Sequence, residues 1–475
     1  MKTYTYLTLL VLLAGCRGRP TPGEKEARRH VQAVAGSYRP NGRKPELPVL
    51  TAQSSLSNYL AYALLNQPQV EAAYFDWLAS VERITVERSL PDPQVTFQMD
   101  IQEMVTSLMP GLMMNFPGAG KLRAAAAVAS AESQAKYFAF RTASLQSAYA
   151  VERAYYQLYF LEEKLRVSRE NLSLLADLAK VAQAQNEVGK ASLQDALRAQ
   201  IEQSRVETGI ANLEDSRSAL LAQFKAALGL RAEDPAPPLP QHFESAPLEL
   251  SSDQALEAAL AHNTKLKGME AEVRAAEASL LLARKAQMPD ASLGLMADVK
   301  MNPTVYRPWG TVSLPIWRDK LAAEIAQAQA NKRAGEARLS AEQIALAVTL
   351  AEKAFLYREA SRNLALLQNL LLPRQRQAVE AARSGYIAGQ SDFFNLTDAE
   401  QALVRLGLDE VEARNQRELA LAELTLIVQG MPPSGAEGMG TIAATVMAPA
   451  SGMAATGPGM LPGGSSSSRK NKGGM

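Results

Sequence analysis

The chain has 475 residues, 47% of them apolar and 21% charged, which by length alone is enough for two or three globular domains. Lysine and arginine together number 50 and aspartate and glutamate 49, so no large net charge draws the chain to nucleic acid. The sequence has no continuous apolar run of about 20 residues, so we expect no transmembrane helix in the mature chain.

The first sixteen residues have the features of an export signal. Lys2 supplies a positive charge, residues 7–13 form a short apolar core, and small residues precede Cys16, the only cysteine. The sequence Leu-Ala-Gly-Cys resembles a bacterial lipobox, which implies a signal peptide at 1–15 and acylation of Cys16 with palmitate-type chains. An ordinary secretory signal that happens to contain a cysteine is the alternative. A single thiol forms no internal disulfide, so packing alone must hold the fold.

The segment after the cysteine indicates a destination. In lipoproteins an aspartate next to the acylated cysteine favours the inner membrane, and Arg17 stands there, so the resemblance implies the outer membrane of a Gram-negative cell. Residues 16–53 are basic and rich in proline and glycine, and we interpret them as a lipidated, extended tether.

Two similar halves follow, at 54–230 and 252–429, joined by a proline-rich linker at 231–251. Each half has a short helical pattern, a medium one, a hairpin, a very long helix, a glycine-containing break and another long helix. Corresponding segments lie about 200 residues apart, far more than the period of a solenoid, which indicates internal duplication.

The tail, 430–475, contains mainly small residues and methionine without apolar periodicity, which predicts disorder. Six of the 16 methionines lie in it. Thioethers are soft ligands for Cu(I) or Ag(I), so metal capture is one hypothesis for this tail, and a tail without such a role is the other.

The long helical segments make up most of the chain. Residues 121–185 contain no proline, and apolar or small residues recur at the 4-3-4-3 spacing of a coiled-coil seam. The seam positions are Leu161, Leu165, Ser168, Leu172, Leu175, Ala179 and Ala182. Such a helix is a rod of roughly 100 Å. Its counterpart, 318–384, contains Pro373, which we expect to kink or divide it. A purely structural coiled-coil rod is an alternative that periodicity does not exclude.

The hairpin occurs twice, as "LPDPQVTFQMDI" from Leu90 and "MPDASLGLMADV" from Met288. Apolar and polar residues alternate along each strand, with Met296 as the exception, so each strand has one apolar and one polar face. The predicted apolar positions are Val95, Phe97, Met99, Ile101, Leu112, Met114, Phe116, Leu293, Leu295, Ala297, Val299, Met301, Val312, Leu314 and Ile316. Two half-buried hairpins on a soluble core are one interpretation. The other is an outer-membrane barrel.

The barrel interpretation requires an oligomer. The chain supplies four strands, whereas the smallest barrels close with eight, and open edges in lipid leave backbone groups unpaired. A dimer would give eight strands with a filled interior, and a trimer twelve strands with an open lumen.

The lipobox, the two hairpin-bearing halves and the matching glycine breaks together resemble the TolC-like outer-membrane efflux proteins over about residues 54–429. The stretches "MMNFPGAGKLRAAAA" and "VSLPIWRDKLAAEIAQA" are most similar to the heavy-metal branch of outer membrane factor lipoproteins, the CusC/CzcC type. The resemblance implies a mixed α and β fold, in which a homotrimer combines a twelve-stranded barrel with a periplasmic coiled-coil tunnel.

The resemblance also implies a function. Such a trimer is the passive exit duct of a tripartite efflux pump, with heavy-metal ions as one class of cargo and antibiotics, dyes or solvents as others. An inner-membrane transporter of the RND type would supply the energy through a periplasmic adaptor.

The same resemblance suggests site residues at the periplasmic tip. The family commonly narrows its tunnel with aspartates one turn apart after the glycine break. Counted from the tip turn at Gly389 these positions are Asn395 and Asp398, and counted from Gly189 they are Asp195 and Arg198. Asn395 departs from the family pattern. The alternative is that Asp398 is a solvated surface charge.

Other classes of function find little support in the sequence. "NFPGAGKL" is not a phosphate-binding loop, because Asn115 stands where the motif needs glycine and Leu122 where it needs Ser or Thr. The three histidines are isolated, and no metal-ligand or triad spacing occurs, so we expect no enzyme activity, no cofactor and no metal centre. A periplasmic adaptor lipoprotein of the same pumps is the alternative function, although adaptors combine one helical hairpin with a β-rich domain.

Overall fold

A computed structural model describes residues 20–101, 105–187, 192–241, 243 and 252–429. Its α-helices are α1 (Pro22–Tyr38), α2 (Leu56–Asn66), α3 (Pro68–Arg88), α4 (Lys121–Glu187), α5 (Leu193–Ala227), α6 (Ser252–His262), α7 (Thr264–Lys285), α8 (Arg318–Leu366), α9 (Leu372–Ile387) and α10 (Phe393–Gln429). Its strands are β1 (Gln94–Ile101), β2 (Val105–Phe116), β3 (Asp290–Asp298) and β4 (Val305–Ser313). The predicted combination of very long helices with four strands is confirmed.

The four strands form one antiparallel sheet in the order β1-β2-β3-β4. The hairpins of the two halves therefore pair with each other, through β2 and β3. The register aligns the apolar residues on one face, made of Val95, Phe97, Met99, Leu112, Met114, Leu293, Leu295, Tyr306 and Val312. Phe97 and Leu293 on this face are each 62% exposed in the single chain. An apolar face of this size marks a surface that lipid or another partner covers.

The opposite face of the sheet carries polar residues. The Ser107 hydroxyl donates a hydrogen bond of 2.8 Å to the buried carboxylate of Asp298, across β2 and β3. The Ser292 hydroxyl likewise donates to Asn115 Oδ1 at 2.7 Å. The apolar face is therefore confirmed within the strands, whereas the opposite face is mixed, because Met109, Met113, Met296 and Trp309 lie there among the polar residues.

The second hairpin is shorter than its sequence pattern predicted. Four residues assigned to it lie beyond the strands: Val299, Met301, Leu314 and Ile316. After β3 the chain turns, and Asp298 Oδ1 accepts a hydrogen bond of 3.2 Å from the Lys300 N–H. After β4, Pro315 has no N–H to donate to a ladder, which ends the strand.

Helices continue the sheet in the same order. Next to the strands, α3 contacts α4, α4 contacts α7, and α7 contacts α8. Each of these helices adjoins one strand in the chain, so the helices lie side by side in the same order as the strands. Farther from the sheet the order is α5, α4, α10 and then α8 with α9. Among the described helices, none combines the length and the apolar character that crossing a membrane requires.

The short helices occupy equivalent places in the two halves, as duplication predicts. In the first half, α2 packs on α4 and α5 in a core that contains Tyr59, Leu60, Tyr155 and Phe224. In the second half, α6 packs on α8 and α10. The coiled-coil seam predicted in α4 is also observed: Leu161, Leu165, Ser168, Leu175 and Ala182 are buried and the remaining two positions are half-buried.

Pro373 divides the second long helix as expected. The α-helix α8 ends at Leu366, residues Leu367–Leu371 form a π-helical segment, and α9 begins at Leu372. Proline cannot donate the next helical hydrogen bond, and a π-segment is a common way to absorb that loss. The rod therefore continues beyond the proline with a local change in its winding.

The prediction that 16–53 is extended was wrong for Pro22–Tyr38, which form α1. The Thr21 hydroxyl caps this helix by accepting a hydrogen bond of 3.2 Å from the Glu24 N–H, and proline suits the first turn. The reason for the order is packing. Glu24 is 1% exposed and accepts hydrogen bonds from Thr85, Arg88 and Arg28, and Tyr38 lies in an aromatic core at the other end of α1.

Several predicted segments lie wholly or partly outside the described residues. They are the signal peptide and Cys16, the turn at Gly189, the end of the 231–251 linker and the tail 430–475. Residues 231–241 of the linker are described and form turns and irregular backbone.

Candidate functional site

The candidate site lies at the end of the helices that is farthest from the sheet. Helix α4 begins five residues after β2 and runs for 67 residues, which is roughly 100 Å at the usual rise. Helices α8 and α9 run a similar distance from β4. The end of α4, the start of α5 and the α9–α10 turn therefore lie together at the far end.

Gly389 shapes the turn between α9 and α10. Its φ is +71°, in the left-handed region that favours glycine. The N–H groups of Gln390 and Ser391 both donate to the Gly385 carbonyl, at 2.8 and 3.1 Å, and so satisfy the end of α9. Asp392 then caps α10 by accepting a hydrogen bond of 3.0 Å from the Asn395 N–H. Gly389 thus stands in a turn between two helices, and its place at the periplasmic tip stays a prediction.

An aromatic pair packs the α9–α10 turn against the end of α4 and the start of α5. Phe393, the first residue of α10, is 2% exposed and packs against Ala182 of α4 and Ala199 of α5. The Tyr386 ring lies 5.7 Å from the Phe393 ring in an edge-on arrangement. The tips of both halves therefore form one packed unit around Phe393.

The proposed aperture residues lie on this unit. Asn395 and Asp398 are both exposed and are one helical turn apart on α10, so they share a face. Asp195 lies in the first turn of α5, and its side chain is outside the described part of the structure. The guanidinium of Arg198 lies 5.2 Å from the centre of the Phe394 ring, a cation–π contact between the halves.

Arg198 and Asp398 carry opposite charges, and both belong to the tip. Both side chains are described, and no ion pair within 4.0 Å joins them in this part of the chain. Arg198 instead stacks on Phe394, four residues before Asp398 on the same helix. In a single chain the Asp398 carboxylate therefore faces solvent without Arg198 as a partner.

One carboxylate near the tip escaped the sequence analysis. Glu400 is half-buried on α10, and its Oε2 atom has no hydrogen-bond partner among the described residues. Burial raises the pKa of Glu400, and the charge of Arg383 on α9 opposes that change. Glu400 shares a helix face with the buried residues Phe393 and Leu396, because the three stand three and four residues apart. That spacing is the sequence signal for its partial burial.

A charged surface between α3, α4, α7 and α8 lies nearer the sheet. It carries Arg83 and Lys136 together with Glu132, Glu272 and Glu324. Arg83 pairs with Glu132 at 2.9 Å. This surface is thus slightly acidic, as is the exposed face of the tip at Asp398.

Sequence comparison places most of the chain in one family match. Residues 59–230 and 255–429 match the family described as outer membrane efflux protein. The two matched ranges correspond to the two halves of the fold. No curated protein matches the chain in sequence.

Solved structures share the whole fold at low sequence identity. The CusC structure is 15% identical with a TM-score of 0.67, and the match covers 81% of this chain and 98% of CusC. VceC of Vibrio cholerae is 15% identical with a TM-score of 0.65, covering 78% of this chain and 95% of VceC. MtrE of Neisseria gonorrhoeae, in its open state, is 16% identical with a TM-score of 0.68, covering 82% and 96%. At these identities the likeness establishes the fold.

Proposed function

Because the chain belongs to the outer membrane efflux protein family, we propose that it is the exit duct of a tripartite efflux pump, working as a homotrimer without catalysis. The family places the protein in the outer membrane with its helices extending into the periplasm. The observation that carries the proposal is the four-stranded sheet with one exposed apolar face, joined to helices roughly 100 Å long. Three such sheets give twelve strands, enough for a barrel with an open lumen.

The described fold does not support the alternative that the protein is a periplasmic adaptor. The described residues contain one four-stranded sheet and no β-rich terminal domain. We propose instead that an adaptor is a partner, which docks at the tip and links the duct to an inner-membrane transporter of the RND type. Heavy-metal ions are the proposed cargo class, on the resemblance of the segments around Lys121 and Arg318 to the heavy-metal branch.

We also propose acylation of Cys16. The described chain starts at Pro20, which lies beside α4 near the sheet, and Cys16 stands four residues earlier in the sequence. Cys16→Ser should abolish incorporation of radioactive palmitate while leaving the protein in the outer membrane through its barrel. Equal labelling of the variant and the unaltered protein would remove the acylation proposal.

The tip is the proposed constriction. Threefold symmetry would bring three copies of Asp398 around one axis, and converging carboxylates in a narrow pore favour cations. In planar bilayers we expect the purified trimer to conduct, and Asp398→Ala to lower the cation-to-anion permeability ratio severalfold. Asp409→Ala, on the same helix farther from the tip, is the control and should leave the ratio unchanged.

The same experiment separates two failures. A protein that stays monomeric in mild detergent and does not conduct contradicts the duct itself. A conducting trimer whose ion preference is unaffected by Asp398→Ala places the constriction at other residues, with Glu400 the next to test.

A further inference from the structure

A groove at the membrane end of the helices has a charge pattern that the duct does not explain. It lies between α4, α7 and the segment Pro20–Gly23, with a volume of about 1120 Å³. Arg123 lies within two helical turns of the end of β2, and Arg284 lies within two turns of the start of β3. The groove is therefore at the level where the sheet leaves the membrane.

The groove faces away from the acidic surface described above. On α4 it uses residues such as Arg123, Ala127 and Ser130, whereas the acidic surface uses Glu132, Lys136 and neighbours. At 100° per residue these two sets lie on roughly opposite sides of the helix. The same division holds on α7. Pro20–Gly23, at the start of the described chain, line this groove and not the acidic surface.

The groove has an excess of positive charge. Its charged residues are Arg123, Arg274, Arg284, Lys332 and Glu277. Glu277 pairs with Lys332 at 3.0 Å. No described carboxylate lies within 4.0 Å of any of the three arginines, and all three are exposed. The floor between Arg123 and Arg284 consists of small side chains, Ala126, Ala127 and Ala278, which leave room for a ligand.

We propose that this groove binds the headgroup of an anionic phospholipid from the periplasmic leaflet of the outer membrane, with Arg123 and Arg284 holding the phosphate. Arginine matches phosphate because its planar guanidinium donates two parallel hydrogen bonds. Arg274 lies about 15 Å farther along α7 than Arg284, beyond the headgroup layer. The proposal rests on the location of the sheet in the outer membrane, and on no property of the aperture.

The positive charge of the groove argues against the acyl anchor on Cys16 as its ligand. The acyl groups expected on Cys16 carry no phosphate, so they give the two arginines no partner. A phospholipid supplies the missing negative charge at the correct depth, since juxtamembrane basic residues attract anionic lipids.

Native mass spectrometry of the full-length protein in neutral detergent tests the proposal. With phosphatidylglycerol as the probe, we expect at least one bound lipid per chain and weaker binding of phosphatidylcholine. Arg123→Gln with Arg284→Gln should weaken phosphatidylglycerol binding about thirtyfold, because each juxtamembrane basic residue contributes roughly fivefold to the binding of anionic lipid. Arg83→Gln with Lys136→Gln is the matched control: it removes two positive charges from the acidic surface, on α3 and α4, and should leave lipid binding unchanged.

Two outcomes would overturn the proposal. They are equal weakening in both double variants and no preference for phosphatidylglycerol over phosphatidylcholine. Loss of binding in Cys16→Ser would likewise assign the groove to the anchor. Retained trimer and bilayer conductance in Arg123→Gln with Arg284→Gln would show that the duct stands whether or not the lipid proposal does.

Discussion

Replacing Phe97 by arginine is expected to reduce the membrane-inserted trimer more than tenfold. Phe97 lies at the centre of β1 on the apolar face, opposite Pro110 of β2. An arginine on the lipid face near the bilayer midplane costs roughly 2–4 kcal/mol, and a trimer carries three copies. In a water-exposed hairpin the same change would be almost neutral, because surface substitutions usually alter stability by only about 0.5 kcal/mol.

Gln98→Arg provides the matched control. Gln98 is the next residue of β1, is also exposed in the single chain, and points to the opposite, polar face. Its replacement should leave the trimer intact. The measurement is the yield of detergent-resistant trimer from outer membranes, together with refolding of each purified variant into lipid vesicles. Equal yields for Phe97→Arg and Gln98→Arg would contradict lipid contact on the Phe97 face.

The sequence predicted the parts of the fold that depend on periodicity. Alternation in the two hairpins assigned Phe97 and Leu293 to one face, and the observed register places them there. The 4-3-4-3 spacing predicted the buried seam of α4, because a helix at that spacing presents one stripe to its neighbours. Pro373 predicted the interruption of the second rod for a covalent reason that holds in any context.

The parts that failed depend on distant contacts. Composition suggested an extended segment before Leu56, yet α1 is helical because Glu24 meets Arg88 and Thr85, some sixty residues later in the chain. A buried carboxylate with several donors stabilises a helix whose composition alone would not. The capping pattern Thr-Pro-Gly-Glu was a local signal for this helix and is consistent with Thr21 as the cap.

Counting from Gly389 gave two neighbouring positions for the aperture, Asn395 and Asp398. Both are exposed and share a face of α10, because the helix repeat fixes which residues lie together, and their role in an aperture stays a prediction. The partner of Arg198 was beyond reach of the sequence. Its contact with Phe394 joins residues about 200 positions apart, and only the packing of the two tips brings them together.

Glu152→Gln is expected to remove most of the loss of stability that the helical part of the trimer shows as pH rises. Glu152 on α4 and Glu418 on α10 are each 1% exposed, and Glu152 Oε2 has no hydrogen-bond partner among the described residues. Burial raises the pKa of Glu152 to about 8; a hydrogen bond with Tyr156 opposes this increase and the charge of Glu418 adds to it. Glu152 is therefore protonated in the folded chain at neutral pH.

The sign of the pH effect follows from this proton. The unfolded chain releases it near the ordinary value of 4.5, whereas the folded chain holds it until about pH 8. The stabilising contribution of the neutral carboxyl is thus complete below 4.5 and is lost as pH rises toward 8, by about 1.4 kcal/mol per pH unit. We expect the melting temperature of the detergent-solubilised trimer to fall between pH 5.5 and pH 8.5, which is roughly the range of that titration. Glu152→Gln should flatten this fall, because a buried amide stays neutral.

Glu170→Gln is the control, on an exposed part of the same helix, and its melting temperature should fall with pH as steeply as that of the unaltered protein. An unchanged slope in Glu152→Gln would mean that Glu152 is already ionised in the assembled wall, with a counter-charge supplied by a neighbouring chain.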